Sequence, residues 1–257
     1  MTTDHRMEPT TTTAEAFYDN FADRYDDMID FEKRVHNETE VLRPLVEGLD
    51  LRQAVDMGCG TGVHAMALAS LGVDATGIDI SEQMLARAAM HAQGKSNVRF
   101  IRGDFFAPEL QQHSPVDAVF CLGNTLPHID SVFTLSQVIG YWKSCLSPNG
   151  RIILQLLNYD RILQTHDRIV GVRQNDHFTT VRFYDFTEPH IMFNILTIRN
   201  DGHRSTHLLQ STPLLPIRVD DLNNAAITAG CGTIDIFGSL RRDEYKADSR
   251  DLVAMIG

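Results

Sequence analysis

A short apolar run that leads into a glycine-rich loop and then an alanine-rich segment constrains this chain most strongly. The stretch AVDMGCGTGVHAMAL covers residues 54–68 and predicts a buried strand at Gln53–Met57, a turn, and a helix that ends near Leu71. A turn of this kind presents backbone N–H groups and a helix N-terminus to a bound ligand. The residues in and around the loop therefore indicate which ligand it binds.

The segments around this loop alternate between strand and helix patterns. Six further strands are predicted, at Val73–Ile80, Val98–Arg102, Val116–Leu122, Arg151–Leu157, Thr233–Phe237 and Leu252–Met255. Strands that are separated by helical segments form parallel sheets with crossover connections. The chain is therefore predicted to be an α/β protein with a Rossmann-like, doubly wound and mostly parallel seven-stranded sheet.

Two additions to this sheet are predicted. Near the N-terminus, aromatic and apolar residues recur every three or four positions, which predicts an amphipathic helix. A second helix is predicted to follow it and to end near Leu49, and the two helices would form a lid. After the fifth strand, three strand-like segments joined by polar turns predict an antiparallel β cap. We expect one domain over residues 1–257, made of an N-terminal helical lid (12–50), a core (51–167), an antiparallel cap (168–215) and a closing helix and strands (216–257).

The composition narrows the classes of partner. The formal net charge is −11, and binding to a nucleic-acid backbone or an anionic membrane takes a basic face, so we expect neither partner. The chain shows neither an apolar run of roughly 18 residues nor the apolar segment of a signal peptide. Its four cysteines are far apart in the sequence, so no metal site and no disulfide framework is expected. We therefore expect a cytoplasmic protein.

The spacing of the loop glycines distinguishes between kinds of ligand. They stand at Gly58, Gly60 and Gly62, whereas a dinucleotide site requires G-x-G-x-x-G and Val63 occupies its last position. No Gly-Lys-Ser/Thr sequence is present in the loop, so it is not a P-loop. A nicotinamide-dependent oxidoreductase is accordingly disfavoured.

Three acids follow three successive strands, at Asp56, Asp79 and Asp104. A carboxylate at Asp56 suits a ligand with an ammonium group and would repel a pyrophosphate. Asp79 stands about 20 residues further on, where an acid accepts hydrogen bonds from ribose hydroxyls, and Asp104 is placed to accept one from an adenine amino group. Each acid alone is equally well explained as a cap or turn residue. Together with the glycine spacing, they favour a nucleoside with a cationic amino-acid tail and no phosphates, which describes S-adenosylmethionine.

The same segments resemble the motifs of a known family. VDMGCGTG, GIDIS and RGDFF resemble the three cofactor motifs of class I S-adenosylmethionine-dependent methyltransferases, over residues 54–157. CLGNTLPHI (121–129) and NYDRIL (158–163) look like segments of glycine N-methyltransferase and its relatives. FYDNFADRYDDM and FEKR (31–34) resemble the N-terminal lid of that group. The resemblance implies a methyltransferase that uses S-adenosylmethionine.

The resemblance also implies roles for individual residues. Asp79 would hold the ribose, Met84 would pack on the adenine, and Arg34 would pair with the methionine carboxylate, which a guanidinium fork matches. Tyr18 and Tyr25 would close over the cofactor, but packing of an amphipathic helix explains them as well, and a solvated surface charge is the alternative for Arg34. The residues implied in cofactor binding are Tyr18, Tyr25, Arg34, Asp56, Gly58, Cys59, Gly60, Gly62, Asp79, Ile80, Met84, Gly103, Asp104, Phe105, Leu122, Gly123 and Asn124.

Residues after the fourth and fifth strands are expected at the methyl acceptor. His128, Asn158 and Tyr159 are the candidates for catalysis, and by the resemblance Asn158 lies in the acceptor site. His128 is able to bind or deprotonate a substrate, and a half-buried histidine with satisfied hydrogen bonds explains it equally well. Asn158 has an alternative role as a cap for the segment that follows it. Arg182 and Tyr184 either reach the acceptor from the cap or lie on the outer face of a strand.

The chain departs from glycine N-methyltransferase in the approach to the NYD segment. That approach is basic and contains histidine in the family, and it is the apolar LQLL here. Glycine is therefore not assigned as the acceptor. We expect methyl transfer to a small molecule, with an amine nitrogen favoured and homo-oligomerisation possible from the family alone. The alternatives are a methyltransferase acting on protein or RNA, and a module that binds the cofactor without turnover.

Overall fold

The strands of the protein form two sheets. The computed structural model describes residues 13–19, 30–174, 178–200 and 205–257. Its strands are β1 (Gln53–Met57), β2 (Asp74–Asp79), β3 (Val98–Arg102), β4 (Val116–Cys121), β5 (Leu146–Leu157), β6 (Ile169–Gln174), β7 (Phe178–Phe186), β8 (Ile191–Asn200), β9 (Ser205–Leu214), β10 (Ile234–Phe237) and β11 (Asp251–Ile256). The predicted bounds of the core strands agree closely with these, except that β5 begins at Leu146 and not at Arg151.

Helices connect these strands. They are α1 (residues 14–19), α2 (Phe31–Gly48), α3 (Val63–Ser70), α4 (Glu82–His91), α5 (Glu109–Gln112), α6 (Val132–Ser144), α7 (Tyr159–Thr165) and α8 (Val219–Thr228), with a 3-10 turn at Leu126–His128. The hydroxyl of Ser81 accepts a hydrogen bond of 3.1 Å from the backbone N–H of Met84. This cap begins α4 two residues after β2, so the end of the strand and the start of the helix meet at one place.

The larger sheet is doubly wound and mostly parallel, as predicted. Its strand order is β10-β11-β5-β4-β1-β2-β3, and among these seven strands β11 runs antiparallel to both of its neighbours. The order reverses between β1 and β4, which pair in parallel. Ligands of open α/β sheets bind outside the carboxyl ends of the strands at such a switch point, so the topology places a binding crevice beside the glycine loop.

The larger sheet is buried on both faces, because alternate residues of a strand point to opposite sides. Val55 packs in the apolar cluster that contains Trp142 of α6, whereas Ala54 packs in the cluster that contains Leu68 of α3. Trp142 also donates a hydrogen bond of 2.8 Å from Nε1 to the carbonyl of Phe105. The core thereby fixes the loop after β3, which borders the crevice.

The smaller sheet is the predicted cap. It is antiparallel, has the order β6-β7-β8-β9, and lies between α7 and α8 in the chain. The sequence predicts three of these strands but does not predict β6, because IVGVRQ is exposed at most positions and shows no alternation of apolar and polar residues. Across β6 and β7, Gly171 stands opposite Arg182, so the two residues share a face of the cap.

The N-terminal segment packs between the two sheets. Phe17 on α1 is fully buried and contacts Met84 of α4 and Ile195 of β8. The predicted contact of Tyr25 with the cofactor falls outside the described residues. Among the helices that the structure describes, none combines the length and the apolar character needed to cross a membrane.

Candidate active site

A cavity of about 1390 Å³ lies between the carboxyl ends of the core strands and the inner face of the cap. Most of the predicted site residues line it. They are Tyr18, Arg34, Gly58, Cys59, Gly60, Asp79, Ile80, Met84, Gly103, Asp104, Phe105, Leu122, Gly123, Asn124 and His128. The cavity is also lined by Arg182 and Tyr184, so these two side chains belong to the inner face of the cap.

Four predicted residues do not line the cavity. Asp56 lies in β1 beneath the glycine loop, Gly62 ends that loop at the start of α3, and Asn158 and Tyr159 form the buried start of α7. The polar side chains among them are almost fully buried, with an exposure of 1% for Asp56 and 0% for both Asn158 and Tyr159. The predicted roles of these four residues in binding or catalysis stay predictions, and the structure places them behind the cavity wall.

The three loop glycines are required for different physical reasons. All three have positive φ, at 71°, 53° and 88° for Gly58, Gly60 and Gly62, which side chains rarely adopt. A Cβ on Gly58 would lie 2.1 Å from Cγ2 of Thr125, and one on Gly62 would lie 2.7 Å from Cζ of Phe100. A Cβ on Gly60 would meet no atom within 4 Å. Gly60 therefore exposes bare backbone to the cavity, whereas the outer two glycines allow close packing.

Asp79 is held at the end of β2 by the glycine loop itself. Its Oδ2 accepts a hydrogen bond from the backbone N–H of Gly60, and its Oδ1 accepts one from the backbone N–H of Ser81, both at 2.8 Å. Burial raises the pKa of this carboxyl, and the backbone donors oppose that shift. Each oxygen keeps a lone pair, so the carboxylate is oriented and still able to accept from a ligand.

Asp56 has no such support. Neither carboxylate oxygen has a hydrogen-bond partner of normal geometry among the described residues, although a weak interaction with the backbone N–H of Ala65 lowers the pKa slightly. Burial first, and the nearby charge of Asp79 second, raise the pKa of Asp56 to about 7. Burying a carboxylate without a partner costs free energy, which is why its protonated form is favoured. With a pKa of about 7, Asp56 places either a negative charge or a neutral carboxyl underneath the loop.

A polar chain that the sequence did not reveal borders the cavity beside Arg34. Nε of Arg34 lies 3.9 Å from Oε1 of Glu38, and Oε2 of Glu38 lies 3.9 Å from Nε2 of His64. Burial raises the pKa of Glu38 and lowers the pKa of His64 to about 3, so the imidazole is uncharged at neutral pH. The helical spacing of Arg34 and Glu38 was the available signal for this pair.

Two further polar residues of the cavity wall, Gln155 and Asp251, fix the loop after β4. Oε1 of Gln155 accepts a hydrogen bond of 3.2 Å from the backbone N–H of Gly123. Nε2 of Gln155 donates in turn to Oδ2 of Asp251 at 3.0 Å. Gly123 has a φ of 71°, and the atom nearest to a Cβ there is 4.0 Å away. Gln155 is the single polar residue of LQLL, so a lone polar position in a buried strand was the signal for its role.

His128 and Tyr18 meet on the cavity wall. Nε2 of His128 lies 3.0 Å from the hydroxyl of Tyr18. Burial lowers the pKa of His128 to about 4, so the ring is uncharged at neutral pH. The pair brings a hydroxyl and an imidazole, which are able to donate and accept hydrogen bonds, to the side of the cavity that faces the cap.

Asn124 links the cavity wall to the buried residues of α7. Its Nδ2 donates to the hydroxyl of Tyr159 at 3.0 Å, and its Oδ1 accepts from the backbone N–H of Leu157 at 2.9 Å. Asn124 has a φ of 68°, which asparagine tolerates better than most residues. Tyr159 thus supports Asn124 from behind.

Asn158 is a cap and a brace. Its Oδ1 accepts from the backbone N–H of Arg161 at 3.1 Å and from the hydroxyl of Tyr245 at 2.9 Å. Its Nδ2 donates to the carbonyls of Ala247 and Ser249 at 3.2 and 3.0 Å. Every polar atom of the side chain is satisfied inside the protein, so the alternative that the sequence allowed, a helix cap, is the one observed.

The residues present fit S-adenosylmethionine. Asp79 supplies an oriented carboxylate for a diol, and bare backbone at Gly60 and Gly123 leaves room for a ligand. The buried hydroxyl of Thr61, which lines the cavity, lacks a hydrogen-bond partner among the described residues. An orphaned hydroxyl on a cavity wall is a polar group that a bound ligand would satisfy.

Comparison with known proteins supports this fit. The family model described as "Methyltransferase domain" matches residues 54–150. The chain is 26% identical over 250 residues to a glycine/sarcosine N-methyltransferase of Halorhodospira halochloris, which covers 96% of this chain and 88% of that protein. It is 32% identical over 149 residues to a glycine/sarcosine N-methyltransferase of Parasynechococcus marenigrum, which covers 58% of this chain and 53% of that protein.

The fold is also that of solved methyltransferases. An S-adenosylmethionine-dependent methyltransferase from Clostridium acetobutylicum superposes with a TM-score of 0.76 at 16% sequence identity, over 93% of this chain and 98% of that one. Its similarity concerns the fold, whereas the family model matches the cofactor-binding part of the chain and the Halorhodospira halochloris relative aligns over 250 residues. Together with the glycine loop and the acid that ends β2, these findings identify the chain as a class I S-adenosylmethionine-dependent methyltransferase.

Proposed function

We propose that this methyltransferase transfers the methyl group of S-adenosylmethionine to the amine nitrogen of a small molecule. The observation that carries the proposal is that the glycine loop and the inner face of the cap border one and the same cavity. A cap that closes over the acceptor favours a small molecule over a protein or an RNA. The sequence similarity to two glycine/sarcosine N-methyltransferases supports nitrogen as the attacked atom.

The proposed cofactor contacts follow from the cavity wall. Asp79 would accept from the ribose hydroxyls, because its carboxylate is already oriented by Gly60 and Ser81. Met84 and Phe105 would border the adenine, and Arg34 would bind the carboxylate of the methionine part. The remaining contacts proposed are those of Tyr18, Gly58, Cys59, Ile80, Gly103, Asp104, Leu122, Gly123 and Asn124.

When bound, S-adenosylmethionine would supply a methyl carbon on a sulfonium: an amine lone pair would form the N–C bond in line as the C–S bond breaks, and the thioether S-adenosylhomocysteine would leave. The chain's own contribution is to orient the two reactants and to exclude water. An ammonium must lose a proton before it attacks, and a histidine whose pKa is about 4 is a weak acceptor for that proton. We therefore assign His128 and Tyr18 to orienting the amine through hydrogen bonds, and the proton leaves to solvent before the amine is enclosed.

The proposed compartment is the cytoplasm. All four cysteines, Cys59, Cys121, Cys145 and Cys231, are free thiols. Free thiols are the usual state in a reducing compartment.

Labelled cofactor tests the proposal. The protein is incubated with S-adenosylmethionine labelled in its methyl group and with a cell extract, and small molecules are then separated from macromolecules. We expect the label in a small-molecule amine, which mass spectrometry identifies by its added methyl group. Label on protein or RNA would refute the proposed acceptor class. Absence of label in every fraction, with cofactor binding confirmed by calorimetry, would favour a binding module without turnover.

A further inference from the structure

Asp56 of β1 is a buried acid that no cation of the described residues accompanies. Its side chain is 1% exposed, and neither of its oxygens has a hydrogen-bond partner of normal geometry in the described part of the chain. The side-chain charge that acts on it is a second acid, Asp79, and the weak contact with the backbone N–H of Ala65 is its one favourable interaction there. A buried acid of this kind is one half of an ion pair, and a cationic ligand is able to supply the other half.

The other titratable groups around Asp56 are uncharged at neutral pH, apart from Asp79 of β2. Cys59 of the glycine loop and Cys121 at the end of β4 are buried thiols. Burial first, and the charges of the two acids in addition, raise the pKa of each thiol well above its ordinary value. On α3, burial lowers the pKa of His64 to about 3. The two acids therefore supply the charge of this cluster.

The glycine loop separates Asp56 from the cavity without placing a charged side chain between them. Gly58 and Cys59 line the cavity two and three positions after Asp56, and Met57 is fully buried. Opposite Asp56 on β2 stands Gly77, where a Cβ would lie 2.8 Å from Sγ of Cys59. A charge acts over several ångströms more strongly through such a packed interior than through water. Asp56 therefore responds to the charge of a ligand that lies above the loop.

The substrate cofactor and its product differ by one positive charge. S-adenosylmethionine carries a sulfonium, whereas the electron pair of the broken C–S bond stays on sulfur and leaves a neutral thioether in S-adenosylhomocysteine. The adenosine, the ammonium and the carboxylate are common to both molecules. A negative charge underneath the loop therefore stabilises the bound cofactor relative to the bound product.

We infer that Asp56 determines ligand specificity in this methyltransferase: its buried carboxylate favours the cationic S-adenosylmethionine over the neutral S-adenosylhomocysteine and so promotes release of the product after each transfer. Asp56 does not line the cavity, so it makes this distinction by its charge and without touching the ligand. The inference concerns the cofactor and holds for any methyl acceptor, so it goes beyond the proposed function.

Proton release by the wild-type protein is the first test. A cation above the loop favours the ionised form of Asp56, so the residue loses its proton when the cofactor binds. S-adenosylmethionine and S-adenosylhomocysteine are titrated at pH 6.5 in two buffers of different ionisation enthalpy, and calorimetry gives the number of protons released. Because the pKa of Asp56 is about 7, we expect the cofactor to release about half a proton more than the product does. Equal release by the two ligands would overturn the inference.

The variant Asp56→Asn is the second test, because it keeps the shape of the side chain and removes its charge. The measured quantity is the dissociation constant of S-adenosylhomocysteine divided by that of S-adenosylmethionine, at pH 8.5. We expect this ratio to fall about tenfold in the variant, since the affinity for the cofactor falls more than the affinity for the product. A thermal transition and retained binding of S-adenosylhomocysteine show that the variant is folded.

Two matched variants separate the charge of Asp56 from other effects. Asp74→Asn removes an acid at the exposed start of β2, and Thr61→Val changes a buried, uncharged residue of the same loop. Both should keep the wild-type ratio. A ratio in Asp56→Asn within about twofold of the wild-type value, or an equal fall in Thr61→Val, would overturn the inference. All of these titrations omit an acceptor, so their outcome is independent of whether the enzyme methylates an amine.

Discussion

The hydroxyl of Tyr18 lies 3.0 Å from Nε2 of His128, and the two rings meet edge to face with their centroids 5.3 Å apart. The contact joins α1 to the 3-10 turn after β4. Phe17, the neighbour of Tyr18, is fully buried between the core and the cap, so the position of α1 is determined by packing. The side of the cavity that His128 borders therefore depends on the N-terminal segment.

Tyr18→Phe tests this dependence. The substitution removes the hydrogen bond and leaves the nitrogen of His128 unsatisfied, which costs about 1–3 kcal/mol. We expect the catalytic efficiency to fall about tenfold or more if that cost is borne in the transition state, since each 1.4 kcal/mol is a factor of ten. The measurement is the rate at which label passes from methyl-labelled S-adenosylmethionine to the acceptor that the extract experiment identifies. Tyr245→Phe, which removes a hydroxyl outside the cavity lining, is the matched control, and equal rates in both variants would contradict the role of Tyr18.

Asp79→Asn tests the proposed ribose contact. An amide accepts at one atom, so the variant loses one of the backbone hydrogen bonds as well as the charge-assisted bond to a diol. We expect the affinity for S-adenosylhomocysteine to fall at least tenfold in calorimetry, with a thermal transition that shows a folded protein. Asp74→Asn, at the exposed start of the same strand, should bind as the wild type does. An unchanged affinity in Asp79→Asn would exclude the ribose contact.

Asn158→Ala separates a structural role from a role in the acceptor site. The side chain is fully buried and makes four hydrogen bonds, including the cap of α7. We expect the free energy of unfolding in urea to fall by about 2–4 kcal/mol, from the lost cap and the unsatisfied partners. Asn224→Ala, at an exposed position of α8, should change it little. Unchanged stability with lost turnover would return Asn158 to the acceptor site.

The buried carboxyl of Asp56 should make the folded protein less stable as the pH rises. Its pKa in the folded protein is about 7, above the ordinary value of 3.8, so the folded state holds a proton that the unfolded state has released between these values. The stability that the protonated form provides is complete below pH 3.8 and is lost as the pH rises through 7. One pKa unit corresponds to about 1.4 kcal/mol, so the loss amounts to several kcal/mol.

Asp56→Asn isolates this contribution. The amide does not titrate, so the variant should gain stability relative to the wild type as the pH increases from 5.5 to 8.5. Urea unfolding at both pH values measures the difference between the two proteins, in which the contributions of the histidines cancel. A difference that is independent of pH would show that Asp56 is already ionised at pH 5.5 in the folded protein.

The core of the fold was predictable because its signals are local. A buried strand, a glycine turn and a helix occupy adjacent residues, and the repeat of this unit indicates a parallel sheet with crossovers. Part of the cavity wall was also predictable from the sequence, because Asp79 and Gly60 stand at or directly after strand ends and parallel strands end on the same side of a sheet. The edge strand β6 and the short helix α7 were not predicted, since neither carries a clear apolar period.

The sequence by itself determined the sheet, the glycine loop and the class of cofactor, because residues close in the chain carry those patterns. Only the tertiary structure decided that Asn158 is a cap, that Tyr18 reaches His128, and that Arg182 faces the cavity. Each of these depends on a partner or a surface contributed by another part of the chain. A side chain's type and spacing say what it is able to bind, whereas packing of distant segments decides what lies within its reach.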